Sequence, residues 1–136
     1  MNTNSKGDLA IAKVLLIAIE KGYLVSKPLS ESSRYDLVID IDGSLKRTQV
    51  KYADGKGSHG SQGVVRVCLE KRYKNKVLLY DEKVIDLLLV YIPKIDRVCI
   101  FRPEVFSGKS NLYIRYEPSK NGQETGCLLA DSCFWD

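Results

Sequence analysis

The chain has 136 residues, of which 44% are hydrophobic, and this length and composition predict one folded domain rather than a disordered chain. Its most apolar stretch, residues 84–92, is far shorter than the roughly 20 residues that cross a bilayer, which excludes a spanning helix. Residues 1–7 are polar and lack the apolar segment of a secretion signal, so we expect a cytoplasmic protein without a membrane partner.

Positive charge is concentrated in one window of the sequence. Between Lys46 and Lys76 there are nine lysines or arginines and two acids, a net charge of +7, which leaves −3 for the rest of a chain that totals +4. Such a block is typical of a polyanion-binding surface and equally of a solvated basic face. The four cysteines form no C-x-x-C pair and there is one histidine, which favours reduced thiols over a zinc site.

The first predicted element is a helix from about Gly7 to Lys21. Ser5 and Asp8 form a capping pattern at its start, and Gly22 is suited to a left-handed residue after its end. Apolar residues at helical spacing predict one buried face, made of Leu9, Ala12, Leu15, Leu16 and Ile19.

The rest of the chain favours strands. Apolar and alternating runs predict them at residues 23–25, 35–41, 45–53, 64–70, 87–92, 97–101 and 111–116. A basic turn at 71–76 and a short helix at 103–106 complete the pattern. This order predicts an α/β, or α+β, fold with a central mixed sheet flanked by helices. We expect a single domain with its core at 6–106, a basic region at 46–76, and a tail at 107–136 that docks through Phe134 and Trp135.

A polar patch is predicted on the hairpin that turns at Asp42-Gly43. Counting outward from this turn places Asp36 opposite Gln49, and Lys51 shares a face with Gln49. Such a patch can hold Mg²⁺, with Asp36, the Gln49 side-chain oxygen and the Val50 carbonyl as ligands. Lys51 would then orient or deprotonate the attacking water. A solvent-facing polar strip on a half-exposed sheet is the alternative.

Residues 34–40, followed by Gln49-Val50-Lys51, resemble the core of PD-(D/E)XK nucleases. The preceding helix, opened by Lys6-Gly7-Asp8 and followed by Gly22-Tyr23 and Pro28, resembles the branch encoded by group I introns. The resemblance covers residues 6–51. It implies a restriction-endonuclease-like core and a homing endonuclease that uses Mg²⁺, with Mn²⁺ able to substitute and no organic cofactor. Such an enzyme makes a double-strand break in DNA at a long, partly symmetric site.

Two positions depart from the family pattern. Gln49 stands where most relatives have an acid, and Ile11 stands where many have a glutamate on the first helix. Asp8, three residues before Ile11, either supplies the missing carboxylate to the catalytic metal or only caps the helix. An inactivating change at position 11 would abolish cleavage and keep DNA binding. A DNA-binding module with a decayed nuclease site is therefore one alternative.

The DNA-binding surface is predicted to follow the catalytic strand. Gln62 and Arg66 are positioned for base edges, and His59 is either a phosphate contact or an exposed loop residue. The remaining predicted DNA contacts are the basic side chains Lys56, Lys71, Arg72, Lys74 and Lys76, of which the last four meet phosphates.

Self-association follows from the size of the chain. One small domain reads too little DNA to cut both strands at a long site, so we expect a homodimer or homotetramer. The strand at 87–92 and the terminal Phe134-Trp135 are candidate interface elements, and core packing explains them equally. A branched-DNA (Holliday junction) resolvase of the same superfamily also fits the sequence. A small-molecule-binding α/β domain explains the basic block poorly.

Overall fold

The structure, a computed structural model, describes residues 1–55, 63–118 and 126–136. Within these residues, no helix is both long and apolar enough to cross a membrane. The elements in chain order are α1 (Thr3–Glu20), β1 (Leu24–Ser26), β2 (Leu37–Ile41), β3 (Ser44–Tyr52), β4 (Val64–Cys68), β5 (Lys71–Tyr73), β6 (Lys76–Leu78), β7 (Leu87–Ile92), β8 (Arg97–Phe101), α2 (Pro103–Phe106), β9 (Asn111–Arg115), β10 (Leu128–Leu129) and a 3-10 helix (Ala130–Ser132).

Helix α1 begins four residues earlier than the sequence pattern predicts. The side chain of Asn2 accepts a hydrogen bond from the Ser5 N–H at 2.8 Å, which satisfies a backbone donor of the first turn. Ser5 and Asp8 lie inside the helix, so the predicted cap is wrong. The predicted end is confirmed, because Gly22 has a φ of +79°, which glycine adopts without strain.

The buried face of α1 also differs from the prediction. It is formed by small residues four apart, Ala10, Val14 and Ala18, which let the helix axis approach the central sheet. Leu16 and Ile19, predicted to be buried, are 55% and 68% exposed. Nearly every position from 9 to 19 is apolar, so spacing alone does not select the face that packs.

The central sheet is mixed, as predicted. Its strand order is β1-β2-β3-β7-β8, with β3 and β7 parallel and the other neighbours antiparallel. The β2–β3 hairpin has the predicted turn, since Asp42 and Gly43 both have positive φ and pair Ile41 with Ser44. Strand β7 is buried along its whole length, which places it in the core and not at an interface.

Helix α1 covers one face of this sheet, and a second, three-stranded sheet covers part of the other. The second sheet has the order β10-β9-β4 and contributes Val65, Val67, Leu112 and Ile114 to the core, together with Phe106 of α2. Trp135 docks as predicted, because its backbone N–H donates to the Val98 carbonyl at 2.8 Å and its side chain is buried.

The prediction of a basic turn at 71–76 is wrong, because this segment contains two paired strands. Residues 71–78 make a hairpin of β5 and β6, with Lys74 and Asn75 in the left-handed region at its turn. Both strands are exposed along nearly their whole length. The hairpin therefore projects from the domain, with its basic side chains in solvent.

Candidate active site

Asp36 is held in place by the backbone of β3. Its N–H donates to the Thr48 carbonyl at 2.9 Å, which continues the β2–β3 pairing by one residue. Its carboxylate oxygen Oδ2 accepts the Val50 N–H, also at 2.9 Å. The Val50 side chain lies on the opposite face of β3, buried against α1. These contacts fix the Asp36 carboxylate beside the strand that carries Gln49 and Lys51.

The three polar side chains predicted to meet do line one cavity. It has a volume of about 320 Å³, and Asp36, Gln49 and Lys51 all contribute to its wall. They converge because residues 49 and 51 project from the same face of β3 and the hairpin register places residue 36 opposite residue 49. The other residues of the wall are Glu31, Ser33, Arg34, Glu70, Lys71 and Tyr80.

Lys51 has an electrostatic environment unlike that of a surface lysine. Burial lowers its pKa, while Cys68 and Asp36 act in the opposite direction and Lys71 adds to the lowering. Its ammonium lies 5.6 Å from the centroid of the Tyr80 ring, within the range of a cation–π contact. A partly desolvated lysine of this kind is suited to exchange a proton with a bound water.

The wall of the cavity carries charged side chains of both signs. Arg34, Lys51 and Lys71 are its basic residues, and Glu31, Asp36 and Glu70 are its acidic residues. Among the residues that the structure describes, the ion pairs are Lys6–Asp54, Lys13–Asp96, Arg47–Asp86 and Arg97–Asp136. None of them involves a residue of this wall, so both signs of charge stay available for a ligand.

Ile11, rather than Asp8, reaches the neighbourhood of Asp36. The two residues Ile11 and Asp36 line an adjacent cavity of about 520 Å³. Asp8 is exposed and lines neither cavity, because it lies one turn nearer the start of α1, roughly 4.5 Å along the axis. The structure therefore does not bring Asp8 together with the other predicted ligands.

The chain matches one known family over almost its whole length. The profile of the PD-(D/E)XK endonuclease family matches residues 1–134. The chain belongs to the PD-(D/E)XK endonuclease family. The resemblance to PD-(D/E)XK nucleases is thereby confirmed, and the nuclease-like fold with it.

A solved structure supports the same fold. The bacterial homing endonuclease I-Ssp6803I superposes with a TM-score of 0.79 at 23% identity, over 98% of this chain and 89% of that one. A search of curated protein sequences found no match. Endonuclease activity on DNA follows from the PD-(D/E)XK assignment.

PD-(D/E)XK nucleases typically use divalent metal ions. In this chain the side chains of Asp36 and Gln49 offer oxygen donors. Within residues 1–55, 63–118 and 126–136, no three Asp, Glu, His or Cys side chains are grouped closely enough to hold a metal by themselves. A cation beside Asp36 would therefore need neutral donors as well, and Gln49 is the nearest amide in sequence and in the wall of the cavity.

The predicted DNA contacts of this PD-(D/E)XK chain fall in three places. Arg66 is exposed on β4 and lines, with Lys51 and Cys68, a further cavity of about 280 Å³ beside the first. Lys56, His59 and Gln62 lie outside the described residues. The β5–β6 hairpin carries the exposed cations Lys71, Arg72, Lys74 and Lys76.

Sequence reasoning missed five residues of the cavity wall: Glu31, Ser33, Arg34, Glu70 and Tyr80. Glu70 and Tyr80 flank the β5–β6 hairpin and reach the cavity only through the tertiary fold, so no local spacing shows them. Arg34 and Glu31 lie just before Asp36 in the sequence. Their proximity to Asp36 along the chain is the one signal that pointed to them.

Proposed function

We propose that this chain is a homing endonuclease that depends on Mg²⁺ and makes a double-strand break at a long, partly symmetric DNA site. The observation that carries the proposal is the meeting of Asp36, Gln49 and Lys51 in one cavity of a PD-(D/E)XK fold. The similarity to the bacterial homing endonuclease I-Ssp6803I supports the choice among nuclease classes.

The residues present fit a hard divalent cation. Asp36 supplies a carboxylate and Gln49 a carboxamide oxygen, with the Val50 carbonyl next in the chain, and Mg²⁺ prefers such donors and keeps several waters. Mn²⁺ takes the same donors. When bound, the ion lowers the pKa of a coordinated water and neutralises charge on the phosphate.

Lys51 supplies the protein's own part of the chemistry. Hydrolysis forms a bond from a water oxygen to phosphorus and breaks one ester bond, while the water loses a proton and the leaving oxygen gains one. Lys51 orients the attacking water and lies where negative charge increases on the phosphate. Its partly buried ammonium, in contact with Tyr80, is restrained for this role.

DNA binding is assigned to the basic surface next to the cavity. The hairpin cations contact phosphates, and Arg66 on β4 contacts base edges. Lys71 belongs to both surfaces, because it lies at the base of the hairpin and lines the cavity. One cavity per chain cuts one strand, so a double-strand break requires a homodimer or homotetramer.

Cleavage of a randomised duplex library tests the proposal. The protein is incubated with the library in Mg²⁺, and the cut ends are sequenced, with EDTA and a four-way junction as parallel arms. We expect cuts at one long sequence in linear duplex, none in EDTA, and no preference for the junction. Sequence-tolerant cutting of the junction would instead identify a resolvase.

Ile11 favours a second candidate, a DNA-binding module that no longer cuts. The apolar side chain of Ile11 lines a cavity that Asp36 also lines, where many relatives are expected to carry a carboxylate. In this case the protein binds duplex but leaves it intact in Mg²⁺ and in Mn²⁺. Ile11→Glu then restores cleavage, whereas Ile19→Glu, an exposed position on the same helix, does not.

A further inference from the structure

Arg34 lies two residues before Asp36 and carries an unused donor. Its guanidinium carbon is 5.1 Å from the centroid of the Tyr80 ring, and its Nη2 donates to the Leu79 carbonyl at 3.4 Å. Its Nε is buried and has no hydrogen-bond partner. A guanidinium N–H that is buried without an acceptor is costly.

The location of this donor distinguishes it from a packing defect. Among the described residues, one other arginine, Arg115, has a buried Nε without a partner, and it also donates to a backbone carbonyl at 3.4 Å. Arg115 lines a separate cavity near the C-terminus. Arg34 lines the cavity of Asp36, Gln49 and Lys51, where a phosphate is expected.

The ring of Tyr80 contacts both Arg34 and Lys51. Tyr80 is 4% exposed, and its ring centroid lies 5.1 Å from the guanidinium carbon of Arg34 and 5.6 Å from the ammonium nitrogen of Lys51. Both cations are therefore fixed by contact with the same buried side chain. Neither belongs to an ion pair within the part of the chain that the structure describes. This arrangement is suited to an anion that enters the cavity.

We propose that Arg34 is a catalytic residue whose guanidinium donates to a non-bridging oxygen of the scissile phosphate. This inference rests on the proposed nuclease function and assigns a residue that the sequence pattern left without a role. The planar fork of an arginine matches two phosphate oxygens, and a lysine at this position would offer a single point charge. The interaction strengthens as those oxygens gain charge during attack.

Nuclear magnetic resonance of the arginine Nε–H groups tests the interaction without requiring cleavage. The ¹⁵N-labelled protein is titrated with deoxythymidine 3′,5′-bisphosphate in Mg²⁺, and the Arg34 resonance is assigned by its loss in Arg34→Lys. We expect the Arg34 resonance to move and that of Arg115 to stay. An Arg34 resonance that does not move up to the solubility limit of the nucleotide overturns the inference.

Single-turnover cleavage separates this inference from the proposed function. On a duplex that the wild type cuts, we expect Arg34→Lys to slow cleavage about 100-fold or more, with the DNA dissociation constant within about threefold. Arg115→Lys is the matched control and should cut at the wild-type rate. Wild-type cleavage with an unimpaired Arg34→Lys refutes the role of Arg34 alone. If the wild type cuts no duplex, the proposed function fails, and the nucleotide titration alone decides whether Arg34 binds phosphate.

Discussion

Two hairpins of this domain have the same kind of turn and opposite surroundings. The β2–β3 hairpin turns at Asp42-Gly43 and is paired on both sides within the central sheet, with α1 packed on one face. The β5–β6 hairpin turns at Lys74-Asn75, forms a two-stranded sheet by itself and is exposed. Isolated two-stranded hairpins are marginally stable in water, whereas paired and covered strands are fixed. The proposed catalytic patch therefore lies on a rigidly packed hairpin, and the proposed DNA-binding cations lie on an exposed hairpin with a similar turn.

Truncation of an apolar side chain should have very different effects on the free energy of unfolding in the two hairpins. Ile39 of β2 is fully buried, so Ile39→Ala should lower the free energy of unfolding by about 2–5 kcal/mol. Val77 of β6 is 45% exposed, and Val77→Ala should change it by less than about 0.5 kcal/mol. Urea denaturation measures both. Equal losses in the two variants would show that the β5–β6 hairpin packs against the domain after all.

Removal of charge from the exposed β5–β6 hairpin should weaken DNA binding. The triple variant Arg72→Ala, Lys74→Ala and Lys76→Ala should flatten the salt dependence of DNA binding by roughly 0.9 for each phosphate that is no longer neutralised. The matched control replaces Lys83, Lys94 and Lys109, three exposed lysines outside the basic window, and should keep the wild-type slope. Fluorescence anisotropy across a salt series measures the slope. Identical slopes in the two triple variants would remove the hairpin from the DNA surface.

Low pH should weaken the interaction between Arg47 of the β2–β3 hairpin and Asp86. Asp86 accepts hydrogen bonds from the Arg47 backbone N–H at 2.8 Å and from its Nε at 3.0 Å, and these bonds from Arg47 lower the pKa of the Asp86 carboxyl. A lowered pKa means that the stabilisation is present above the unfolded pKa of about 3.9 and is lost as the pH falls through the folded value. Asp86→Asn should cost about 1 kcal/mol at neutral pH, with the difference from wild type shrinking below about pH 4. A difference that is constant between pH 7 and pH 3, measured beside Asp131→Asn, would contradict this.

The smallest expected effect concerns Gln49. Replacing its amide by a carboxylate of nearly the same shape adds negative charge at the cation, so Gln49→Glu should lower the Mg²⁺ midpoint of cleavage several-fold. The added acid also lies two residues from Lys51 on the same face and should slow the chemical step by pairing with it. A single-turnover Mg²⁺ titration gives both quantities. An unchanged midpoint would place residue 49 away from the cation.

The predictable part of the structure is local or strongly patterned. The Asp42-Gly43 turn fixes the register that places Asp36 opposite Gln49, because two-residue hairpins allow few arrangements of their strands. For this reason the sequence alone indicates the three central residues of the site. The bounds of β7 and β8 and the short helix at 103–106 follow from continuous apolar runs and from Pro103.

The parts that sequence reasoning missed depend on tertiary packing. Apolar residues surround α1, so the choice of Ala10, Val14 and Ala18 as its buried face depends on how closely the sheet approaches. The separate sheet of β4, β9 and β10 gives no local signal of its partners. Glu70 and Tyr80 enter the cavity wall from segments that lie far along the chain from β3, which no spacing rule reveals.

The variant Lys51→Ala decides whether DNA is cut in the cavity of Asp36, Gln49 and Lys51. Single-turnover cleavage and DNA affinity are measured together on a duplex that the wild type cuts, with Lys94→Ala as the matched control outside the cavity. We expect Lys51→Ala to abolish cleavage while affinity falls by no more than the effect of about one neutralised phosphate, and we expect Lys94→Ala to match the wild type in both. Cleavage by Lys51→Ala at the wild-type rate would show that Lys51 takes no part in cutting DNA.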